Sequence, residues 1–64
     1  MNEQETKLVA ELLAKYARTE LSAIGEYSGS IERDARVLKE EVETVAKALS
    51  IPIPEIDWSP YILT

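Results

Sequence analysis

The chain contains no cysteine and no histidine. Disulfides are thereby excluded as a supplement to a small core, and so are thiolate and imidazole metal ligands, leaving carboxylates for hard cations such as magnesium or calcium. The commonest nucleophile and base arrangements cannot be assembled within the chain for the same reason. Glycine is limited to Gly25 and Gly29, and neither has the following Lys-Ser/Thr pair or the preceding strand of a phosphate-binding loop. Basic residues are also scarce: seven stand against twelve acidic ones, a formal net charge of -5. Such a surface repels phosphate backbones, which disfavours nucleic acid as a partner. No apolar run approaches the roughly 20 residues of a membrane span, and the opening Met1-Asn2-Glu3-Gln4-Glu5 has no basic segment leading into an apolar one. The expectation is a cytoplasmic protein with no membrane partner and no bound cofactor.

What is present reads as a small all-α domain. With 64 residues, 45% of them apolar and 30% charged, the chain can fold but buries only a modest fraction of its surface. Oligomerisation is the most economical supplement left once disulfides and metals are set aside. Ile31, Ala35, Leu38, Val42, Val45 and Leu49 recur at alternating spacings of four and three, the signature of one narrow stripe on a helix. Between them lie opposite charges four apart, Glu32/Arg36, Arg36/Glu40, Lys39/Glu43 and Glu43/Lys47, which describe a solvated outer face. Val37 and Ala48 lie off the stripe and mark a secondary contact. This second helix is expected over 31–50, stopped by Pro52.

A first helix is expected over 3–24, where the sequence is rich in Leu, Ala, Glu and Lys and free of Gly and Pro. At about 100° per residue its apolar arc is wide: Leu8, Leu12 and Tyr16 form one edge, Val9 and Leu13 the middle, and Ala10, Ala17, Leu21 and Ile24 the other edge. A helix packed on one neighbour needs only a stripe, so the surplus points to a second contact, most cheaply another copy of the chain. Leu8, Leu12, Tyr16 and Glu20 are the candidate oligomer interface. Glu20 projects into the middle of the apolar side; it either reaches solvent or a cation at an oligomer seam, or it contacts a ligand or a partner's cation.

The stretch 25–30, Gly-Glu-Tyr-Ser-Gly-Ser, is expected to be a turn, with Gly25 closing the first helix and Ser30 capping the second. One continuous helix through both glycines is the alternative, because the 3/4 spacing continues backwards from Ile31 through Ser28, Ile24, Leu21, Ala17 and Ala14. The architecture expected is thus a two-helix antiparallel hairpin over 1–50 with an extended, apolar, Pro-rich C-terminal tail over 51–64, completing a helical bundle by oligomerisation. Three prolines, the only tryptophan and four isoleucines fall in that tail. So apolar a segment is expected to be buried, on its own hairpin, on a neighbouring subunit or on a partner. Ile53, Ile56, Trp58, Tyr61, Ile62 and Leu63 are the candidate partner-binding residues, and Asp57 or Ser59 is expected to start a final helical turn.

Chemistry for catalysis is thin. Glu40 and Glu43, three apart on one helical face, are the one pair able to share a magnesium ion, but they stand among Arg36, Lys39 and Lys47 and no second pair matches them. The functional expectation is a non-enzymatic protein-protein interaction or regulatory module that self-associates and binds a protein partner. From another class, an oligomer gathering Arg18, Arg33 and Arg36 around a small anionic ligand or nucleotide, with Tyr16 or Tyr27 stacking on a base, is the alternative.

Overall fold

The computed structural model describes residues 1–63 and contains two helices, α1 (Glu3–Tyr27) and α2 (Ile31–Leu49), with no strand among the described residues. The start of α1 is fixed by reciprocal capping: the Glu5 amide donates to Asn2 Oδ1 at 2.8 Å, and the Asn2 amide donates to Glu5 Oε1 at 3.1 Å. Two of the amides that a helix start leaves unpaired are satisfied this way, and the Glu3 and Glu5 charges lie at the positive end of the helix dipole.

The first helix runs three residues past Ile24, and Gly25 does not close it. Gly25 is helical, and neither glycine has a positive φ. Its lack of a side chain serves another purpose: a Cβ there would lie 3.3 Å from Tyr61 Cε1, so the glycine admits an aromatic ring flat against the helix. The helix ends instead at Ser28, whose extended backbone (φ -72°, ψ 136°) still donates its amide to the Ile24 carbonyl at 3.0 Å. Ser30 occupies the cap position of α2 but makes no side-chain capping bond. Ser28 does that work: its hydroxyl donates to Asp34 Oδ2 at 2.6 Å and accepts the Ser30 amide at 3.0 Å. Three residues therefore reverse the chain, and the single continuous helix is excluded.

The two helices run antiparallel, tied near mid-length by Tyr16, whose hydroxyl donates to Glu41 Oε1 at 2.5 Å. Ala17 and Ala35, both fully buried, let the backbones come close, and Leu21, Leu38, Val42 and Ala46 fill the seam. The second helix ends in a left-handed residue, Ser50 (φ 56°), with the Ser50 amide on the Lys47 carbonyl at 3.2 Å and the Ile51 amide on the Ala46 carbonyl at 2.9 Å. That pairing, with Ile51 and Ala46 both buried, is the Schellman closure, and it aims the following Pro52 back along the hairpin. Of the four expected ion pairs, Glu32/Arg36 alone closes among the described residues, at 3.6 Å; Arg33/Asp34 closes at 3.3 Å.

Serine at a left-handed position carries a steric cost that glycine does not. Ser50→Gly is expected to stabilise the fold by about 0.5–1 kcal/mol, read as a higher urea midpoint with an unchanged slope.

Candidate functional site

A hairpin of two helices has two broad sides, and this chain treats them differently. One is covered by the tail. Residues 51–57 carry no helix or strand, and a single turn follows at Ser59–Tyr61, held by the Tyr61 and Ile62 amides on the Trp58 carbonyl, both at 2.9 Å. Asp57 starts that turn by accepting the Ser59 amide at 3.1 Å and the Ser59 hydroxyl at 2.6 Å, and these bonds hold its carboxyl below the usual aspartate range. Ile62 is buried in the core with Ala17, Leu21, Ala35, Leu38 and Val42, and Ile56, Trp58 and Tyr61 pack around it. Glu32 and Arg36 then grip the main chain of Leu63: Glu32 Oε2 accepts its amide at 3.0 Å, and Arg36 Nη2 donates to its carbonyl at 2.9 Å.

The tail residues named from the sequence therefore divide. Ile56, Trp58, Tyr61 and Ile62 are engaged by the chain's own hairpin, while Ile53 and the Leu63 side chain stay exposed. Thr64, the last residue of the tail, lies outside the described residues.

The opposite side is open. Tyr16, Glu20 and Ile24 of α1 and Asp34, Val37, Leu38 and Glu41 of α2 line a cleft of about 280 Å³ between the helices. One turn from the Tyr16–Glu41 bond, away from the loop, helical spacing brings Leu12 of α1 to the rim of this side and Val45 of α2 onto it; a turn further, Leu49 stands near the seam at the helix end, and Leu8 faces outward on α1, about 80° round from Tyr16. All four are exposed, Leu12 by 66% and Leu8 by 53%, and so is Val37 at 61%. Of the candidate interface residues, Tyr16 and Glu20 line the cleft, Leu12 stands at its rim, and Leu8 faces outward on α1. Glu41 and Val45 extend the open side, and sequence reasoning did not assign them to an interface. Val37, read from the sequence as a secondary contact because it lies off the stripe of α2, lines the cleft.

The charges that line the cleft are of one sign, with Arg33 at its edge on Asp34. No lysine or arginine lines the cleft, whereas Glu20, Asp34 and Glu41 do. The Glu41 carboxylate accepts the hydrogen bond from the Tyr16 hydroxyl, which raises the phenol's pKa above its ordinary value. Ser28 holds the Asp34 carboxyl below the usual aspartate range, with help from Arg33. The residues named for anion binding do not gather within one chain: Arg33 lies on Asp34, Arg36 on Glu32 and Leu63, and Tyr27 is 83% exposed at the end of α1. Arg18 is exposed. Glu40 and Glu43 face Arg36 and Lys39 in a cleft beside Ile62. Among the described residues no group of three or more carboxylates is arranged to hold a metal ion, and no helix is long and apolar enough to cross a membrane.

Two outcomes follow from this geometry. Ile62→Ala is expected to destabilise the fold by about 2–4 kcal/mol, measured by urea unfolding with Trp58 fluorescence; an unchanged midpoint would show that the tail does not close the core in solution. A carboxyl whose folded pKa lies below its unfolded value stabilises the fold above the ordinary aspartate range, and loses that contribution as pH falls through the lowered value. Ser28→Ala should therefore lower the melting temperature at neutral pH, and the difference from the parent should shrink on acidification to the part that the pH-independent Ser28–Ser30 bond contributes. Neither a protein-family model, nor a curated protein, nor a solved structure matches the chain.

Proposed function

We propose that this chain is a non-enzymatic interaction module that works by laying the open side of its hairpin against another protein surface, including a second copy of itself. The supporting observation is the asymmetry of the two broad sides: the tail buries Ile62 against one, while Tyr16, Val37 and Val45 are exposed on the other, with Leu12 at its rim. A single scattered apolar residue needs no explanation, but a contiguous set on one side of a small domain is the mark of an interface.

Size supports the same reading. Val42 is the one large side chain fully buried among the described residues, and three of the eight buried apolar residues are alanines, so the core leaves much of the apolar surface unused. The 19 residues of α2 extend roughly 28 Å and two helices abreast about 20 Å, so the open side offers roughly 550 Å². Covering it from both partners removes about 1,100 Å², just above the ~1,000 Å² at which a specific interface becomes credible. Self-association through Leu12, Tyr16 and Glu20 uses this surface, and so does binding of a different protein. Without histidine or cysteine the commonest nucleophile and base arrangements cannot be built within the chain, which supports the non-enzymatic reading.

Sedimentation across a concentration series tests the self-association. The parent is expected to gain apparent mass with concentration, and Leu12→Glu, at an exposed position that leaves the core untouched, is expected to remain monomeric with unchanged helical circular dichroism. A parent that stays monomeric throughout would remove the homotypic part of the proposal.

A further inference from the structure

The cleft at the middle of the open side has a chemistry more specific than apolar. Ile24, Val37 and Leu38 give it aliphatic walls, Tyr16 adds a ring, and Glu20, Asp34 and Glu41 add carboxylates. Walls that are aliphatic and a lining that is anionic match a side chain with an aliphatic stem and a cationic tip. A volume of about 280 Å³ accepts one such side chain. The Tyr16 face offers a cation a further attraction, and its hydroxyl is turned away into the hydrogen bond with Glu41.

A second copy cannot supply that cation easily. Lys15 and Arg18 of α1 project away from the cleft on the helical wheel, and Arg36 of α2 holds Glu32 and Leu63 on the tail side; Arg33 stands at the edge of the cleft, where it already pairs with Asp34. Two open sides placed face to face bring Glu20 and Glu41 towards their own copies, a like-charge cost that limits homotypic pairing.

Resting on the reading of the open side as an interface, we propose that the cleft between Tyr16, Glu20, Ile24, Val37 and Glu41 is the anchor site for a lysine or arginine on a basic amphipathic helix of another protein. Leu12 of α1 and Val45 of α2, both exposed, stand one helical turn from the cleft on the side away from the loop. A helix lying across them places its cation at one position and an apolar residue about four positions along. The partner is thus defined by a single basic residue followed, or in the reverse direction preceded, by an apolar residue at that spacing. Charge complementarity over the open side sets its sign: the chain carries a net charge of -5, and the cleft is lined by carboxylates alone among charged groups.

The test uses the full chain and two synthetic helical peptides of about 18 residues, five turns. Both carry leucine at that spacing on a glutamine background; one has lysine at the anchor position and the other has glutamine there. The lysine peptide is expected to bind about tenfold tighter. That preference is expected to disappear in the Glu20→Gln, Glu41→Gln double variant, and to shrink between about 50 and about 500 mM salt. Amide shifts on binding are expected at Tyr16, Ile24 and Val37. Equal binding of both peptides, with shifts on the open side, would overturn the cation site and leave the interface reading intact. Shifts confined to the tail-covered side would overturn the cation site as well. If neither peptide binds and Leu12→Glu does not alter the oligomeric state, the interface reading fails with it. A homodimer so tight that neither peptide competes would assign the surface to a second copy and overturn the proposal.

Discussion

Two helices packed together can each bury only one stripe, and everything else in this molecule answers to that limit. The first helix carries an apolar arc much wider than a stripe, so pairing with α2 leaves apolar surface on both flanks. On one flank the chain supplies its own third wall, a tail whose Ile62 completes the cluster that Leu21, Leu38 and Val42 begin. On the other flank no further wall stands among the described residues. Closing one side and leaving the other open gives the molecule a direction, a back held by the tail and an exposed front.

The local devices serve that arrangement. Ser28 reverses the chain while bonding both Asp34 and the Ser30 amide, so one hydroxyl organises the whole loop. Gly25 gives up helix propensity, up to about 1 kcal/mol relative to alanine, and in exchange admits the Tyr61 ring. Ser50 tolerates a left-handed backbone so that Ile51 can turn back over Ala46.

Much of the fold was legible in the residues. Periodicity placed both helices, and Leu21, Ala35, Leu38 and Val42 fall in the core as their spacing implies. The stripe of α2 failed at its far end, where Ala46 is buried while Val45 and Leu49 are half exposed. At about 100° per residue Val45 points about 65° away from the mean direction of Ala35, Leu38, Val42 and Ala46, whereas Ile31 and Leu49 share a direction near the seam and are exposed at the two ends of the helix. Gly25 was misread because a glycine between two helices resembles a cap, and only the tertiary contact with Tyr61 reveals why it is there. The front surface was half legible: the wide arc of α1 announced Leu12 and Tyr16, but which residues of α2 share that side depends on the rotation of one helix against the other. Glu41 and Val37 enter only once that rotation is known.

The grip on Leu63 has a further meaning. Glu32 and Arg36 hold the amide and the carbonyl of that residue, and its side chain, 79% exposed, takes no part. The latch reads the polymer and not the letter, so position 63 is open to any residue that retains an amide proton, proline alone being barred. For the experimenter it is a place to mount a fluorophore or a cross-linker on the closed back of the molecule, where it would report on the tail without standing in the way of whatever meets the front.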